Sequence, residues 1–375
     1  MREGCIGNCL LCGKCKDFTI LDRFSTAGIS VEPRGGYGAA IDIGTTTVVM
    51  ALLDLSAGAV VARHSFMNPQ RAYGPDVISR IGAANSGASE ELRRLIGQSV
   101  ASGVETLLKA CGVGQIREIV IAGNTTMIYL LLGLPCESLG VFPFKPAYEL
   151  EDRYWLFGCD TRIIPWFAAF VGGDITAGLL YVPKESRFLL IDLGTNGEMA
   201  LYDRGRLTVT STAAGPAFEG SSRGGGASGA IDGLARLVRQ GAVSETGLLE
   251  GNCEFTQKEI RDLQLAKSAV RSGLEILLES AGLIYGELDA VYLAGGIGQT
   301  LDPDSAVTIG LLPRELKDKA RPVGNASLGG AVALLLAPVR AAEEMRSLLT
   351  GFTEINLAEH ARFTHLFMEN MLFEV

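Results

Sequence analysis

The chain has 375 residues, of which 47% are hydrophobic and 20% charged, a composition that excludes an intrinsically disordered protein. Its formal net charge is −9 and it has no basic block or arm, which argues against a nucleic-acid-binding protein. No apolar run approaches the roughly 18 residues of a membrane span, and the polar, cysteine-rich beginning is unlike a signal peptide. We therefore predict a cytoplasmic protein of about two domains, with no membrane or nucleic-acid partner.

The first motif is a cluster of cysteines in CIGNCLLCGKC (5–15), which holds half of the 8 cysteines. Cys9, Cys12 and Cys15 are separated by two residues each, and Cys5 precedes them by three. Successive C-x-x-C steps can wrap thiolates around the corners of an iron–sulfur cubane, and Cys5 can reach the fourth corner. We predict a [4Fe–4S] cluster on these thiolates, held within one chain or across a homodimer. Structural zinc, the main alternative, usually pairs two C-x-x-C knuckles across a longer loop; disulfides are a further alternative.

The next segment, STAGISVEPRGGYG (25–38), contains the glycine, serine and proline residues typical of a linker. As a random coil, a tether of this kind spans about 20 Å. We predict that residues 25–37 are a flexible linker that lets the cluster segment, residues 1–24, move relative to the rest of the chain.

Two stretches repeat one pattern at an offset of 150 residues, GAAIDIGTTTVVMALLD (38–54) and FLLIDLGTNGEMALYDR (188–204). Each contains an apolar strand, Asp-x-Gly-Thr and a second apolar or alternating run, which predicts a strand–turn–strand hairpin. A glycine turn lets backbone N–H groups wrap a phosphate chain. Asp42 and Asp192, just before the turns, are placed to hold Mg²⁺ through water. A single copy could be an ordinary hairpin turn, whereas two copies favour a phosphate-binding function.

Asp174 lies in RIIPWFAAFVGGDITAGLLY (162–181), after two glycines and before the helical run ITAGLL. This position suits the N-cap of a helix. The same carboxylate could instead orient an attacking water near a γ-phosphate, so both interpretations stay open.

Two later stretches suit the base and sugar of a nucleotide. LQLAKSAVRSGLEILLESAG (263–282) has helical spacing, with Lys267 and Arg271 four residues apart on one face. ELDAVYLAGGIGQTLDP (287–303) predicts a strand and a glycine turn that would allow close approach of the backbone to adenine and ribose. A solvated pair on a surface helix is the alternative for Lys267 and Arg271.

The doubled Asp-x-Gly-Thr pattern resembles the superfamily of acetate and sugar kinases, heat-shock chaperones and actin, abbreviated ASKHA. The resemblance implies an α/β fold of two related ribonuclease-H-like, actin-like ATPase domains with an ATP cleft between them. We expect domain I over residues 38–182 and domain II over 183–375, with a C-terminal helix that can pack back on domain I.

Further stretches resemble, in order, the reductive activators of corrinoid-dependent methyltransferases, ATP-using iron–sulfur proteins that return Co(II) corrinoid to Co(I). These stretches are NPQRAYGPDVISRI (68–81), IVIAGNTTMIYLLLGLP (119–135), GPAFEG (215–220), LAGGIGQTLDPDSAVTIGLLP (293–313) and VGNASLGGAVALLL (323–336). Many members carry a ferredoxin domain, whereas a leader of roughly 24 residues is expected here, a departure that leaves the physiological target open.

The resemblance implies ATP with Mg²⁺ and an iron–sulfur centre as cofactors, a ferredoxin-like electron donor and a corrinoid protein as acceptor. The cluster type, [4Fe–4S], is predicted from the cysteine spacing alone. The candidate catalytic residues are Asp42 and Asp192, by their positions before the glycine turns, and Asp174, in the second of its two interpretations. The resemblance also implies that the nucleotide is bound by the two turns, the helix and the later glycines: Gly44, Thr45, Thr46, Thr47, Gly194, Thr195, Asn196, Gly197, Lys267, Arg271, Gly295, Gly296 and Gly298.

Two other functions remain as alternatives. A small-molecule kinase of the acetate or sugar type would use the same core, but phosphoryl transfer needs no electron relay. A non-catalytic assembly protein like actin or the chaperones would use zinc to stabilise its first residues.

Overall fold

The structure is a computed structural model that describes residues 24–194, 196–218, 229–251, 254–298 and 300–373. The predicted cluster ligands Cys5, Cys9, Cys12 and Cys15, and also Thr195 of the second turn, lie outside these ranges. The chain divides into two compact units. Unit 1 is Met1–Tyr181 with Gly324–Thr350, and unit 2 is Val182–Val323 with Gly351–Val375.

Twelve strands form in the described ranges, in two six-stranded sheets. They are β1 (Tyr37–Ile43), β2 (Thr47–Asp54), β3 (Ala59–Met67), β4 (Glu118–Gly123), β5 (Tyr154–Leu156), β6 (Cys159–Ile163), β7 (Arg187–Leu193), β8 (Gly197–Asp203), β9 (Arg206–Thr212), β10 (Ala290–Ala294), β11 (Ala320–Gly324) and β12 (Thr353–Glu354).

The α-helices of the same ranges are α1 (Val77–Ala83), α2 (Ser89–Cys111), α3 (Thr125–Leu132), α4 (Glu137–Gly140), α5 (Gly173–Tyr181), α6 (Gly229–Arg239), α7 (Gln257–Ala281), α8 (Gly295–Gly298), α9 (Pro303–Thr308), α10 (Ala326–Leu336), α11 (Pro338–Leu349) and α12 (Phe363–Glu369). Short 3₁₀ turns cover Pro69–Tyr73, Pro216–Phe218, Tyr285–Glu287, Arg314–Lys319 and Leu357–Glu359, and a π turn covers Ala84–Ala88. In the described ranges, no helix combines the length and the apolar character needed to cross a bilayer.

The two sheets share the order of five strands, β3-β2-β1-β4-β6 in unit 1 and β9-β8-β7-β10-β11 in unit 2, whereas the sixth strand lies at opposite edges. The sheet of unit 1 has the order β3-β2-β1-β4-β6-β5, and that of unit 2, from its other edge, has the order β12-β9-β8-β7-β10-β11. In both, a three-stranded antiparallel meander (β1–β3 or β7–β9) is followed by a strand parallel to its first member. This equivalence confirms the predicted α/β fold of two related ribonuclease-H-like domains.

The central strands of unit 1 are apolar because both faces of the sheet are covered. Ile41 and Met50 pack with α2 and α3 on one face, and Ala40 and Val49 pack with α5 and α10 on the other. The sequence of a strand that is buried on both faces is a continuous apolar run, whereas a strand with one exposed face alternates apolar and polar residues. A Cβ on Gly330 would clash with the carbonyl of Ala177, so this glycine allows α10 and α5 to pack closely.

In unit 2 the longest helix, α7, begins at a capping box. Thr256 Oγ1 accepts a hydrogen bond from Glu259 N, and the Glu259 carboxylate accepts one from Thr256 N. The helix ends at Gly282, whose φ of 67° is in the left-handed region that glycine favours. A Cβ on Gly273 would lie 2.5 Å from Met199, so α7 packs closely on β8.

Each compact unit consists of two separate stretches of the chain, whereas the predicted domains I and II were consecutive stretches. Helices α10 and α11, in Gly324–Thr350, belong to unit 1, whereas α12 packs on α7 in unit 2. The boundary between residues 182 and 183 stays a prediction.

Residues 24–36, called the strap, are held against unit 1 by backbone hydrogen bonds. Ser25 N donates to Tyr181 Oη at 2.8 Å, and Glu32 N donates to Leu336 O at 2.8 Å. These partners belong to α5 and α10, so the strap follows the surface of unit 1.

Charged side chains hold the second half of the strap. The Arg34 guanidinium pairs with Glu118 at 2.9 Å. The Glu32 carboxylate accepts hydrogen bonds from Val339 N at 3.3 Å and Arg340 N at 3.2 Å, in the first turn of α11. An acidic side chain is favourable at that helix end. Contacts distant in sequence therefore hold this segment against unit 1, and its role as a flexible linker stays a prediction.

Candidate functional site

The turn between β1 and β2 is closed by Gly44 N, which donates to Thr47 O at 3.0 Å. A Cβ on Gly44 would lie 2.7 Å from that oxygen, so the turn requires glycine. This is the predicted first hairpin, and its turn contains three consecutive threonines.

Three successive carbonyls of this turn accept hydrogen bonds from one side. Asn68 Nδ2 donates to Gly44 O at 2.9 Å, and Asn68 N donates to Thr46 O at 2.9 Å. Between them, Arg80 Nη2 donates to Thr45 O at 2.6 Å. In a trans peptide the N–H points opposite to the C=O, so the following N–H groups are directed to the other face of the turn. Successive N–H groups on one face form a concave anion-binding site.

Asn124 supports the same turn from a helix end. It is the N-cap of α3, where its Oδ1 accepts from Met127 N at 2.9 Å, and its Nδ2 donates to Thr45 Oγ1 at 3.0 Å. Because the Thr45 oxygen accepts from Asn124, its own proton can be donated to a phosphate oxygen.

Asp42 is held by the beginning of α10. Its Oδ1 accepts from Ser327 Oγ at 2.7 Å and its Oδ2 from Asn325 Nδ2 at 2.9 Å. The side chain keeps some solvent exposure, yet desolvation raises its pKa, and these hydrogen bonds act in the opposite direction. Each oxygen keeps a further lone pair, which is what a water-mediated Mg²⁺ contact requires.

Asp174 lies inside the first turn of α5 rather than before it, because the helix begins at Gly173. Its Oδ1 accepts from the next backbone N–H, that of Ile175, at 2.9 Å. A Cβ on Gly172 would lie 2.7 Å from Thr125 N and would also clash with Asn124 Cα. The two glycines therefore bring the start of α5 against the start of α3, which places Asp174 beside the Asn124 cap.

The second hairpin forms in unit 2, with Gly194 N donating to Asn196 O at 3.1 Å. Its turn is one residue shorter than the first, because Leu193 pairs with Gly197 whereas Ile43 pairs with Val48. The offset of 150 residues therefore holds only up to the turn and was wrong beyond it.

The predicted adenosine glycines follow β10, which lies beside β7 in the sheet of unit 2. Gly295 has a φ of 82°, and a Cβ there would lie 2.5 Å from the Asp192 carboxylate. Gly296 and Gly298 belong to the short helix α8. The structure thus brings together Asp192 and the start of the glycine turn.

Lys267 and Arg271 line one cavity of about 310 Å³, together with Glu245, Gly310, Glu369, Asn370, Leu372 and Phe373. Lys267 is buried; its Nζ donates to Leu372 O at 2.5 Å and lies 5.0 Å from the Phe373 ring centroid. Arg271 pairs with Glu275 at 2.6 Å. The alternative of a solvated surface pair was wrong, because the C-terminal residues cover this face of α7.

Asn68, Arg80 and Asn124 were missed by the sequence analysis. Two of them carry a recognisable signal: Asn68 and Asn124 each follow the last residue of a strand and cap the helix that begins there. Arg80 is the one cation in VISRIGA, the sequence of α1. Within the ranges that the structure describes, no group of three or more His, Cys, Asp or Glu side chains could hold a metal.

Two family models match the chain in succession. One, described as the RACo middle region, matches residues 37–183, and one described as the C-terminal domain of RACo, the ASKHA domain, matches residues 186–245 and 235–375. The chain belongs to the RACo family. This membership confirms the predicted resemblance to reductive activators and the ASKHA fold.

Relatives of this RACo-family chain are named as enzymes. The corrinoid activation enzyme RamQ of Eubacterium limosum is 31% identical, with coverage of 90% of this chain and 70% of the relative. The [Co(II) methylated amine-specific corrinoid protein] reductase of Methanosarcina barkeri is 23% identical, with coverage of 60% and 53%. A solved structure, titled reductive activator for corrinoid,iron-sulfur protein, is 31% identical with a TM-score of 0.81, over 92% of this chain and 67% of that one. The prediction that this chain is an enzyme is thereby confirmed.

Proposed function

We propose that the chain is an ATP-dependent reductive activator that transfers a low-potential electron to a corrinoid protein, reducing Co(II) to Co(I). The observation that carries this proposal is the 31% identity to a corrinoid activation enzyme over 90% of the chain. The reductase from Methanosarcina barkeri, whose name specifies a Co(II) corrinoid protein, supports the same substrate class.

The electron would enter through a [4Fe–4S] cluster on Cys5, Cys9, Cys12 and Cys15. The donor set fits, because four thiolates are the ligands that such a cluster takes. When bound, the cluster would supply the one-electron relay between a ferredoxin-like donor and the corrinoid. Lys14 and Lys16 beside the thiolates would attract an acidic electron donor.

ATP and Mg²⁺ fit the first hairpin of unit 1. The turn presents the N–H groups of Thr45, Thr46 and Thr47 on the face opposite Arg80, which suits phosphate oxygens. Asp42 would hold Mg²⁺ through water, and Asp174 at the start of α5 would orient the attacking water. In unit 2 the Gly194–Gly197 turn would bind phosphate in the same way, with Asp192 as the second Mg²⁺-facing carboxylate.

Nucleotide would favour electron transfer by changing the affinity for the corrinoid protein. A tenfold difference in affinity is about 1.4 kcal/mol, which for a one-electron couple corresponds to about 59 mV. A few kcal/mol of coupling would therefore drive an otherwise unfavourable reduction. The coupling must be reciprocal, so the corrinoid protein would change the affinity for ATP by the same factor.

The test is a reduction assay with anaerobically purified chain and a methyltransferase corrinoid protein in the Co(II) state. We expect iron and sulfide in the protein, an electron paramagnetic resonance signal on reduction, and ATP-dependent appearance of the Co(I) absorption band. A double variant, Cys9→Ser with Cys12→Ser, should lose iron and the band but keep nucleotide binding. Cys111→Ser is the matched control, because Cys111 is a free cysteine of α2.

Other outcomes would point to the alternatives. A colourless, zinc-loaded preparation with nucleotide-dependent polymers would support an assembly protein. Phosphorylation of a small acid or sugar by iron-free protein would support a kinase. Either outcome, without a Co(I) band, contradicts the proposal.

A further inference from the structure

Arg80 is a fully buried arginine directly behind the first phosphate turn. Its exposed fraction is 0%, and its guanidinium reaches three acceptors. Nε donates to Gly74 O at 3.0 Å, Nη1 contacts Met127 Sδ at 3.2 Å, and Nη2 donates to Thr45 O at 2.6 Å. All three acceptors are neutral.

No carboxylate in the described residues lies within ion-pair distance of this guanidinium. Asp76, the nearby carboxylate whose charge favours the protonated form, instead accepts hydrogen bonds from Ser79 N at 2.8 Å and Ser79 Oγ at 2.7 Å. Burial lowers the pKa of Arg80 to about 10, which still leaves it charged at neutral pH. A buried cation without a counter-charge is unfavourable unless something else compensates it.

The position of the cation indicates what compensates it. Arg80 holds the carbonyl of Thr45 at the centre of the turn, so the N–H of Thr46 is directed to the opposite face. A polyphosphate on that face would lie across a single peptide from the guanidinium. In a site shielded from water, this arrangement strengthens attraction between the charges.

We infer that Arg80 is a positioning residue for nucleotide: it orients the first phosphate turn through Thr45 O, and its buried charge favours the bound polyphosphate. The inference rests on the proposed function, since it assumes that ATP phosphates occupy this turn. It extends that proposal to a residue that does not touch the ligand.

A residue with only a structural role would behave differently. Its replacement would lower the free energy of unfolding of the free protein and of the nucleotide complex by the same amount. Replacing a positioning residue with an uncompensated charge mainly destabilises the complex. The rise in melting temperature on adding ATP should therefore be smaller in the variant than in the original chain.

The test compares Arg80→Met, Arg80→Lys and Arg71→Met in the full chain. Met preserves the bulk of the side chain without charge, and Lys preserves charge without the forked donors. Arg71→Met is the matched control, because Arg71 is an exposed cation whose charge also acts on Arg80. ATP and inorganic tripolyphosphate are titrated by calorimetry, and melting temperatures are measured with and without ATP.

We expect Arg80→Met to weaken ATP and tripolyphosphate binding at least tenfold, with a reduced ATP-induced rise in melting temperature. Arg80→Lys should fall between Arg80→Met and the original chain, and Arg71→Met should stay within about threefold. ATP affinity within twofold of the original chain in Arg80→Met would overturn the inference. Should Arg80→Met not fold, full affinity in Arg80→Lys would overturn the positioning role. Failure of the original chain to bind ATP would instead contradict the proposed function.

Discussion

Ser327 Oγ donates a 2.7 Å hydrogen bond to the Asp42 carboxylate, although 285 residues separate the two side chains. Asn325 donates to the other carboxylate oxygen. The proposed Mg²⁺-facing residue of β1 thus depends on α10, a helix that returns to unit 1 late in the chain. This contact links the first strand to the conformation of residues 324–350.

The first prediction concerns Ser327→Ala in metal-free buffer. A hydrogen bond to a charged group contributes about 1.5–3 kcal/mol, and one to a neutral group about 0.5–1.5 kcal/mol. Burial raises the pKa of Asp42 above its ordinary value of 3.8, so its own contribution to stability is lost as pH rises through the raised pKa. Ser327 favours the ionised form, so Ser327→Ala should be more destabilising at high pH than at low pH.

Thermal unfolding of both proteins between pH 4.5 and pH 8 measures this difference. Ser347→Ala, in the last turn of α11, is the control for loss of a serine hydroxyl. A Ser327→Ala penalty that is constant, or that shrinks as pH rises, would contradict the prediction.

The second prediction concerns Gly172→Ala. A Cβ at this position would lie 2.7 Å from Thr125 N, which is backbone and cannot rotate away. Forcing α5 away from α3 should destabilise unit 1 by about 1–3 kcal/mol and displace Asp174. We expect a lower melting temperature and a slower rate of ATP hydrolysis.

Gly97→Ala provides the opposite control. Gly97 lies inside α2, and an added Cβ would meet nothing within 4 Å. Replacing glycine by alanine inside a helix should stabilise by about 0.5–1 kcal/mol. Equal effects of the two substitutions would show that steric contact at Gly172 is unimportant.

Much of the fold could be predicted because its signals are local. The two hairpins follow from an apolar run, a glycine turn and a second run, and α7 from its apolar spacing and Gly282. The contacts of the strap could not be predicted, because its glycines, serines and proline are typical of a linker, while the contacts of Glu32 and Arg34 depend on residues far away in the chain.

The site was predicted less completely than the fold. The Asp-x-Gly-Thr motif predicts Asp42 and Gly44, but it does not predict the residues that hydrogen-bond to the turn. Asn68, Arg80 and Asn124 meet at the turn only after β1, β3, α1 and α3 have packed. No local pattern encodes that convergence. A polar residue immediately after a strand, as at Asn68 and Asn124, is the signal that could have found two of them.

The third prediction concerns the anchor of the strap. Glu118 is 3% exposed and pairs with Arg162 at 2.6 Å, Arg34 at 2.9 Å and Arg153 at 3.2 Å. Glu118→Gln would leave these guanidinium groups without their shared counter-charge. Breaking a buried pair is destabilising by about 3–5 kcal/mol, and the partial exposure of Arg153 reduces that figure. We expect a lower melting temperature and faster tryptic cleavage after Arg34.

Glu105→Gln is the control for this experiment, because its pair with Lys109 is largely exposed. Loss of an exposed pair should change stability by less than about 1 kcal/mol. Unchanged cleavage after Arg34 in Glu118→Gln would contradict the role of Glu118 as an anchor.

The last prediction separates the two roles of Asn124, which caps α3 and donates to Thr45 Oγ1. Asn124→Ala removes both and should destabilise by about 1 kcal/mol, the usual loss for a cap. Asn124→Asp keeps an acceptor for Met127 N but replaces the donor by a negative charge, so stability should stay close to that of the original chain while ATP binding weakens by more than tenfold. Asn124→Ser keeps a neutral cap and should weaken ATP binding less than Asn124→Asp. Melting temperatures measure the effect on stability, and calorimetric titration measures the affinity for ATP. Tight ATP binding by Asn124→Asp would exclude phosphate from the Thr45 turn, because a carboxylate there must repel phosphate.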